Sequence, residues 1–134
     1  MSRTVSIIGT LVMASGILLA AAGAHLVGSI EAEKIWRSAN QMQLVHGLGL
    51  CALGLFRHYF ERGLAYRLWQ AAVFFMCSGI TLFCVTLYLK VLGAAFSLPA
   101  YFAPIGGMSF FFAWLMLAGA LVVSSKKNLR VTSN

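Results

Sequence analysis

The chain has 134 residues, of which 60% are hydrophobic and 10% are charged, and its formal net charge is +7. Soluble domains carry roughly 25% charged residues, so a water-soluble fold of this composition would expose large apolar patches. The length suits one domain. The basic residues lie in short segments between the apolar stretches and form no extended basic face outside them, which argues against a nucleic-acid-binding protein.

Four apolar stretches are long enough to cross a bilayer as helices, which takes roughly 20 residues each. They cover about residues 5–27, 38–56, 68–89 and 103–123. The sequence therefore predicts an all-α, polytopic membrane protein. It would be a single membrane domain over residues 1–134, built as a four-transmembrane-helix bundle.

The basic residues near the span ends predict the orientation, because Lys and Arg concentrate on the cytoplasmic side. With a cytoplasmic N-terminus and four crossings, seven basic residues lie inside: Arg3, Arg57, Arg62, Arg67, Lys126, Lys127 and Arg130. Three lie outside: Lys34, Arg37 and Lys90. This distribution predicts an N-in/C-in topology. A cleaved signal peptide is the alternative for the first stretch, but its apolar run is longer than such peptides usually have.

Small residues recur in span 1 at spacings of four and predict a helix-packing face, formed by Gly16, Ala20, Ala24 and Gly28. In lipid, helices associate by close packing at such positions. The face can serve contacts within the bundle or an interface between subunits, and the sequence leaves both open. Gly106 and Gly107, which follow Pro104, predict a tightly packed start of span 4.

Span 2 is unusual because its continuous apolar run, Leu44–Phe56, is too short to cross a bilayer unaided. The helix must begin earlier, which draws Asn40, Gln43 and His46 into or near the membrane. Polar side chains at such depth usually face the bundle interior and find a partner.

Residues 29–38 are predicted as the preceding outer connection. It can be a short helix capped by Ser29, with Glu31 and Glu33 in its first turn and Trp36 as an anchor at the membrane surface, or a plain polar turn.

Two histidines are the best candidates for chemistry. If the hairpin between spans 1 and 2 turns near Ile35, His25 and His46 lie at similar depth on adjacent helices. They could bind haem or a metal or carry a proton, or each could be neutral and serve packing only. The acidic residues Glu31, Glu33 and Glu61 all lie in predicted loops, and no hydrolytic or zinc-binding pattern occurs. No catalytic residue, metal site or cofactor is therefore predicted.

Several short motifs are similar to those of a known family. They are Gly23–His25, Gln43–His46, Phe83–Tyr88, Pro104–Gly107 and the later Trp114. In this order they resemble the small bacterial inner-membrane proteins of the domain of unknown function 423, which are related to the transmembrane protein 256-like proteins. Met42, Cys84 and Val85 depart from the family pattern of tyrosine, serine and glycine, which is typical of a divergent member.

The resemblance implies a four-span protein of the bacterial inner (plasma) membrane without an assigned biochemical activity. Some members are linked with envelope integrity. A non-enzymatic structural or interaction protein is the leading hypothesis. The alternative is a ligand-handling bundle, namely a small transporter or a haem- or quinone-binding redox protein that uses His25 and His46. Expected partners are membrane lipid and a second copy or another membrane protein.

The motif residues also suggest where a site would lie. Under the N-in topology they fall in the outer half of the bundle, where unpaired polar groups would cost several kcal/mol each. We therefore expect one polar cluster, formed by His25, Gln43, His46, Tyr88 and Pro104.

Overall fold

A computed structural model describes residues 2–60, 63–93, 99 and 101–131, with side chains described as far as residue 124. Its helices are α1 (Ser2–Leu26), α2 (Ile30–Leu55), α3 (Leu64–Val91) and α4 (Phe102–Val131). A short 3₁₀ helix, Phe56–Tyr59, follows α2. The described chain is helical and contains no strand. The prediction of an all-α fold is confirmed.

Three of these helices are apolar and long enough to cross a membrane: Ser2–Leu26, Leu64–Val91 and Phe102–Ser124. The remaining helix, α2, has 26 residues and enough length, but its first half is rich in polar and charged side chains. The presence of apolar, membrane-spanning candidates is therefore established for α1, α3 and α4. A fourth crossing by α2 stays a prediction.

The start of α2 agrees in part with the sequence prediction, because Ser29 caps a helix there, but that helix continues into span 2 without a break. The Ser29 hydroxyl accepts a hydrogen bond from the Ala32 N–H at 3.2 Å, which caps the helix. Glu31 and Glu33 lie in the first turn, where the helix dipole favours negative charge. The region expected as a ten-residue connection is therefore mostly helix. Trp36 lies inside the bundle, only 3% exposed, and does not project outward as an anchor would.

Glycines at every seventh position hold α1 against α2. Gly9, Gly16 and Gly23 are three of the four buried residues of α1. A Cβ at Gly9 would lie 2.6 Å from the backbone nitrogen of Cys51. A seven-residue spacing keeps side chains on one side of two helices that cross at a small left-handed angle. The two backbones therefore approach closely at Gly9, whereas at Gly16 and Gly23 the side chains of Leu44 and Trp36 occupy the space that a Cβ would need.

Of the four residues predicted to form a packing face in α1, the structure places one against α2. Gly16 is buried against α2, whereas Ala20 and Ala24 are exposed and a Cβ at Gly28 would meet nothing within 4 Å. Each step of four residues advances roughly 40° around a helix with 3.6 residues per turn. The predicted stripe therefore turns away from α2, and the contact follows the seven-residue repeat.

The other close approach joins α3 and α4. A Cβ at Gly106 would lie 2.5 Å from the backbone nitrogen of Phe83, so only glycine fits there. Gly107 is less constrained, because its Cβ would meet the Phe83 ring at an ordinary 3.9 Å. At this crossing α3 widens into a π-helical stretch, Ile80–Val85. Such stretches are typical of helices that adapt to a neighbour or to a site.

Substitution of Gly9 by alanine tests the close approach of α1 and α2. The added methyl would meet backbone that cannot move aside, and we expect the free energy of unfolding to fall by about 1–3 kcal/mol. Gly107→Ala makes the same change in a helix with space for the methyl, and we expect a change within about 0.5 kcal/mol. Denaturation in mixed micelles measures both. Equal effects of the two variants would contradict the close packing.

Candidate functional site

Polar side chains on one face of α2 donate hydrogen bonds to backbone carbonyls of α1. The donors are spaced three and four residues apart, so they share a helix face. The bonds join Trp36 Nε1 to Leu19 O (2.8 Å), Asn40 Nδ2 to Gly16 O (2.7 Å) and Gln43 Nε2 to Val12 O (3.0 Å). Gln43 Nε2 also donates to the Ser15 hydroxyl at 2.9 Å.

The glycine repeat explains why these bonds can form. A helix carbonyl has a second lone pair after it has accepted its own backbone bond. Side chains of a neighbouring helix reach that lone pair only where the backbones are close. Gly16 provides this access, because a Cβ there would lie 2.8 Å from Cδ2 of Leu44 on α2. The same packing that joins the helices thus satisfies the polar groups of α2.

Tyr88 connects this network to α3. Its hydroxyl donates to Gln43 Oε1 at 2.8 Å and accepts from Asn40 Nδ2 at 3.3 Å. The ring also packs edge-on against Trp36, with centroids 4.7 Å apart. Since the Gly16 carbonyl only accepts, the Asn40 nitrogen must face it, which fixes the orientation of that amide. We call Ser15, Asn40, Gln43 and Tyr88 the polar cluster.

His46 forms a separate site, one turn further along α2. Its Nδ1 lies 2.7 Å from the Met42 carbonyl, which can only accept. The indole N–H of Trp114, which can only donate, lies 3.2 Å from Nε2. Both contacts are satisfied by the neutral ring with its proton on Nδ1. The ring stacks on Phe110 at a centroid distance of 3.6 Å, so it is fixed on its face as well as its edges.

His25 does not share the depth of His46, so that expectation is wrong. The chain turns near Ser29 and not near Ile35, because α2 begins at Ile30. His46 precedes Gly47, whose Cβ would lie 3.2 Å from Met13. Met13 lies twelve residues before His25 in α1, which corresponds to about 18 Å along the helix axis.

The structure therefore does not bring the five residues expected in one cluster together. Gln43 and Tyr88 are bonded directly, and His46 lies beside them with its own partners. His25 and Pro104 are exposed, at the end of α1 and the start of α4. The sequence analysis did not name Ser15. It named Asn40 as a polar residue near the membrane and Trp114 as a family motif residue, but it placed neither in the cluster. Asn40 carried a signal, because it lies three residues before Gln43 on the same helix face.

Two further observations limit the chemistry of the bundle. In the part of the chain that the structure describes, no group of three or more His, Cys, Asp or Glu side chains could hold a metal ion. Over the same residues, every fully buried side-chain nitrogen or oxygen atom has a hydrogen-bond partner. These atoms bond to backbone carbonyls or to one another within the bundle.

Comparison with known proteins identifies the family. Residues 19–107 match the family described as a protein of unknown function, DUF423. The chain belongs to this family. The resemblance stated from the sequence motifs is thereby confirmed, and the matched region contains all of α2 together with Tyr88.

Relatives of this DUF423 chain are named as membrane proteins. A UPF0382 membrane protein of Staphylococcus saprophyticus is 33% identical over 114 residues, which cover 83% of this chain and 90% of the relative. A UPF0382 membrane protein of Staphylococcus epidermidis is 34% identical over 117 residues, covering 83% and 88%. No solved structure matches.

A double-mutant cycle on Gln43 and Tyr88 tests the polar cluster. Gln43→Leu and Tyr88→Phe each remove one partner of the same hydrogen bond, so their effects on the free energy of unfolding should not add. We expect a coupling of about 0.6–1.7 kcal/mol, the range of interhelical hydrogen bonds in membranes. Tyr101→Phe, at an exposed tyrosine, is the control for loss of a phenol hydroxyl. Additive effects of Gln43→Leu and Tyr88→Phe would show that the bond contributes nothing.

Proposed function

We propose that this DUF423 protein is a non-enzymatic structural or interaction protein of the bacterial inner (plasma) membrane that supports envelope integrity. The chain would form a single membrane domain, a multi-pass four-helix bundle. The observation that carries the proposal is the pairing of the buried polar side chains with one another. In this interpretation the polar cluster and the His46 site hold helices together and do not act on a substrate.

The proposal treats α2 as the fourth crossing. Its 26 residues correspond to about 39 Å of helix, more than the roughly 30 Å of a hydrocarbon core. A helix with polar side chains is acceptable in lipid when those side chains are bonded inside the protein. Asn40, Gln43 and His46 are all buried and hydrogen-bonded, which supports this placement.

The proposed N-in/C-in orientation rests on the distribution of basic residues. One of the cytoplasmic basic residues also packs on aromatic rings, as anchors at a membrane interface do. The Arg57 guanidinium lies 4.3 Å from the centroid of the Tyr66 ring and 5.2 Å from that of Trp69. This places a charged and aromatic group at the end of α2 that the orientation assigns to the cytoplasm.

The geometry does not favour the alternative in which His25 and His46 hold a haem or metal together. About 18 Å of helix separates them along the bundle, and Nε2 of His46 already accepts from Trp114. Association with a second copy or another membrane protein remains part of the proposal. The exposed apolar face of α1, which includes Leu11 and Leu18, is available for it.

Genetic complementation tests the structural role. In the source bacterium, deletion of the gene should let an otherwise excluded dye enter the cells, and the wild-type gene should restore exclusion. We expect His25→Ala to restore it fully, because this exposed histidine holds no other helix. Gly9→Ala should restore it less well, in proportion to its loss of stability.

The control is the visible spectrum of the purified wild-type protein, which should lack a Soret band. A folded His25→Ala protein that fails to restore dye exclusion would contradict the structural role and favour a ligand-handling one.

A further inference from the structure

A cleft of about 440 Å³ opens between the end of α1 and the start of α2. Its α1 wall is made of small or apolar residues: Ala20, Gly23, Ala24 and Val27. Its α2 wall is polar and is made of Glu33, Trp36, Arg37 and Asn40. The cleft therefore has one apolar side and one side with charges and hydrogen-bonding groups, which suits an amphiphile.

The inner end of the cleft contains an unused hydrogen-bond acceptor. Asn40 is 91% buried, since 9% of it is exposed, and its Nδ2 is occupied by Gly16 O and Tyr88 OH. Its Oδ1 has no hydrogen-bond partner among the described residues. Every fully buried side-chain oxygen in the described chain has a partner, so this unpaired Oδ1 is not fully buried. The cleft is an open space that Asn40 lines. It can accept a bond from a hydroxyl or amine.

The outer end of the cleft contains an ion pair with spare capacity. Arg37 places Nε at 2.9 Å and Nη2 at 2.6 Å from the same oxygen of Glu33. A guanidinium has five N–H groups, so three remain, and the second carboxylate oxygen of Glu33 has no partner in the described chain. Both side chains are largely exposed. They therefore offer a phosphate site and an ammonium site next to each other.

Glu33, Arg37 and Asn40 follow one another along a single face of α2. The spacing of four and then three residues keeps them aligned over about 10 Å of helix. Their order is anion, cation and neutral acceptor. In an ethanolamine phospholipid the order from the head inward is ammonium, phosphate and then the central carbon of glycerol. Only a monoacyl lipid carries a donating hydroxyl on that carbon, because a diacyl lipid has an ester there.

We propose that this cleft binds a monoacyl phospholipid with an ethanolamine head group. Glu33 binds the ammonium, Arg37 binds the phosphate, and Asn40 Oδ1 accepts the bond from the glycerol hydroxyl. Ala20 and Ala24 lie opposite the head group, where their small side chains leave room for it. The acyl chain continues past Asn40 toward the exposed Ile17, which lies further into the bundle on the same face of α1. The inference rests on the proposed membrane placement of α1 and α2, and it adds a lipid ligand that a purely structural role does not require.

Lipid binding to the purified full-length chain in non-ionic detergent tests the proposal. Native mass spectrometry gives a Kd for each added lipid. We expect monoacyl phosphatidylethanolamine to bind about tenfold more tightly than its diacyl form, which lacks the hydroxyl, or than monoacyl phosphatidylcholine, whose quaternary amine donates no hydrogen bond. Water-soluble glycerophosphoethanolamine should bind more weakly still, because it lacks the acyl chain.

Variants that remove one charge each locate the binding site. Glu33→Gln and Arg37→Gln should each weaken binding about fivefold or more, because each removes a charge-assisted contact. Glu31→Gln and Lys34→Gln are matched controls on exposed neighbours outside the cleft, and they should bind like the wild type. All four residues are exposed, so the variants should fold, which the unfolding titration checks.

Ala24→Phe, which fills the cleft without changing charge, should also weaken binding. Equal affinity for the monoacyl and diacyl lipids would overturn the proposal, and so would wild-type affinity of both Glu33→Gln and Arg37→Gln. Either failure would leave dye exclusion by the wild type and by His25→Ala unchanged, so it is distinguishable from failure of the structural role.

Discussion

The close contact between α1 and α2 is the constraint on which the rest of the structure depends. Glycines at every seventh position of α1 leave room for α2 and its side chains, so that Asn40 and Gln43 reach the carbonyls of α1. In lipid, an amide without a partner costs several kcal/mol, so a helix with these residues could not stay buried alone. The apolar helix α1 thus acts as the hydrogen-bonding partner of the polar helix α2.

The same contact organises both sites on α2. Asn40 and Gln43, fixed by α1, present their remaining polar atoms to Tyr88, which ties in α3. His46, one turn further, is fixed by its own helix and by Trp114 of α4. Each neighbour of α2 is therefore joined to it by at least one hydrogen bond. This arrangement explains how the most polar helix of the chain can be the one that contacts all the others.

The sequence predicted the features that depend on composition and missed those that depend on geometry between helices. The short apolar run Leu44–Phe56 was sufficient to show that Gln43 and His46 must be drawn inward. The cap at Ser29 was one of two alternatives for residues 29–38, and the structure contains it. The continuation of that helix into span 2 was missed, because a polar, charged stretch is typical of a connection between spans. The packing face of α1 was assigned to a spacing of four, since only the crossing angle distinguishes it from the repeat of seven. A bond from a side chain to another helix's backbone uses no side chain of the accepting helix, so the sequence of that helix does not show which carbonyl accepts.

The central claim is that α2 crosses the membrane because its polar groups are bonded to its neighbours, and labelling at its two ends tests this most directly. Gly28→Cys and His58→Cys place exposed thiols just before and just after α2, and the unmodified chain controls for reaction of the native cysteines. A membrane-impermeant maleimide should modify the first in intact cells and the second only after the membrane is permeabilised. Modification of both from the same side would contradict the claim.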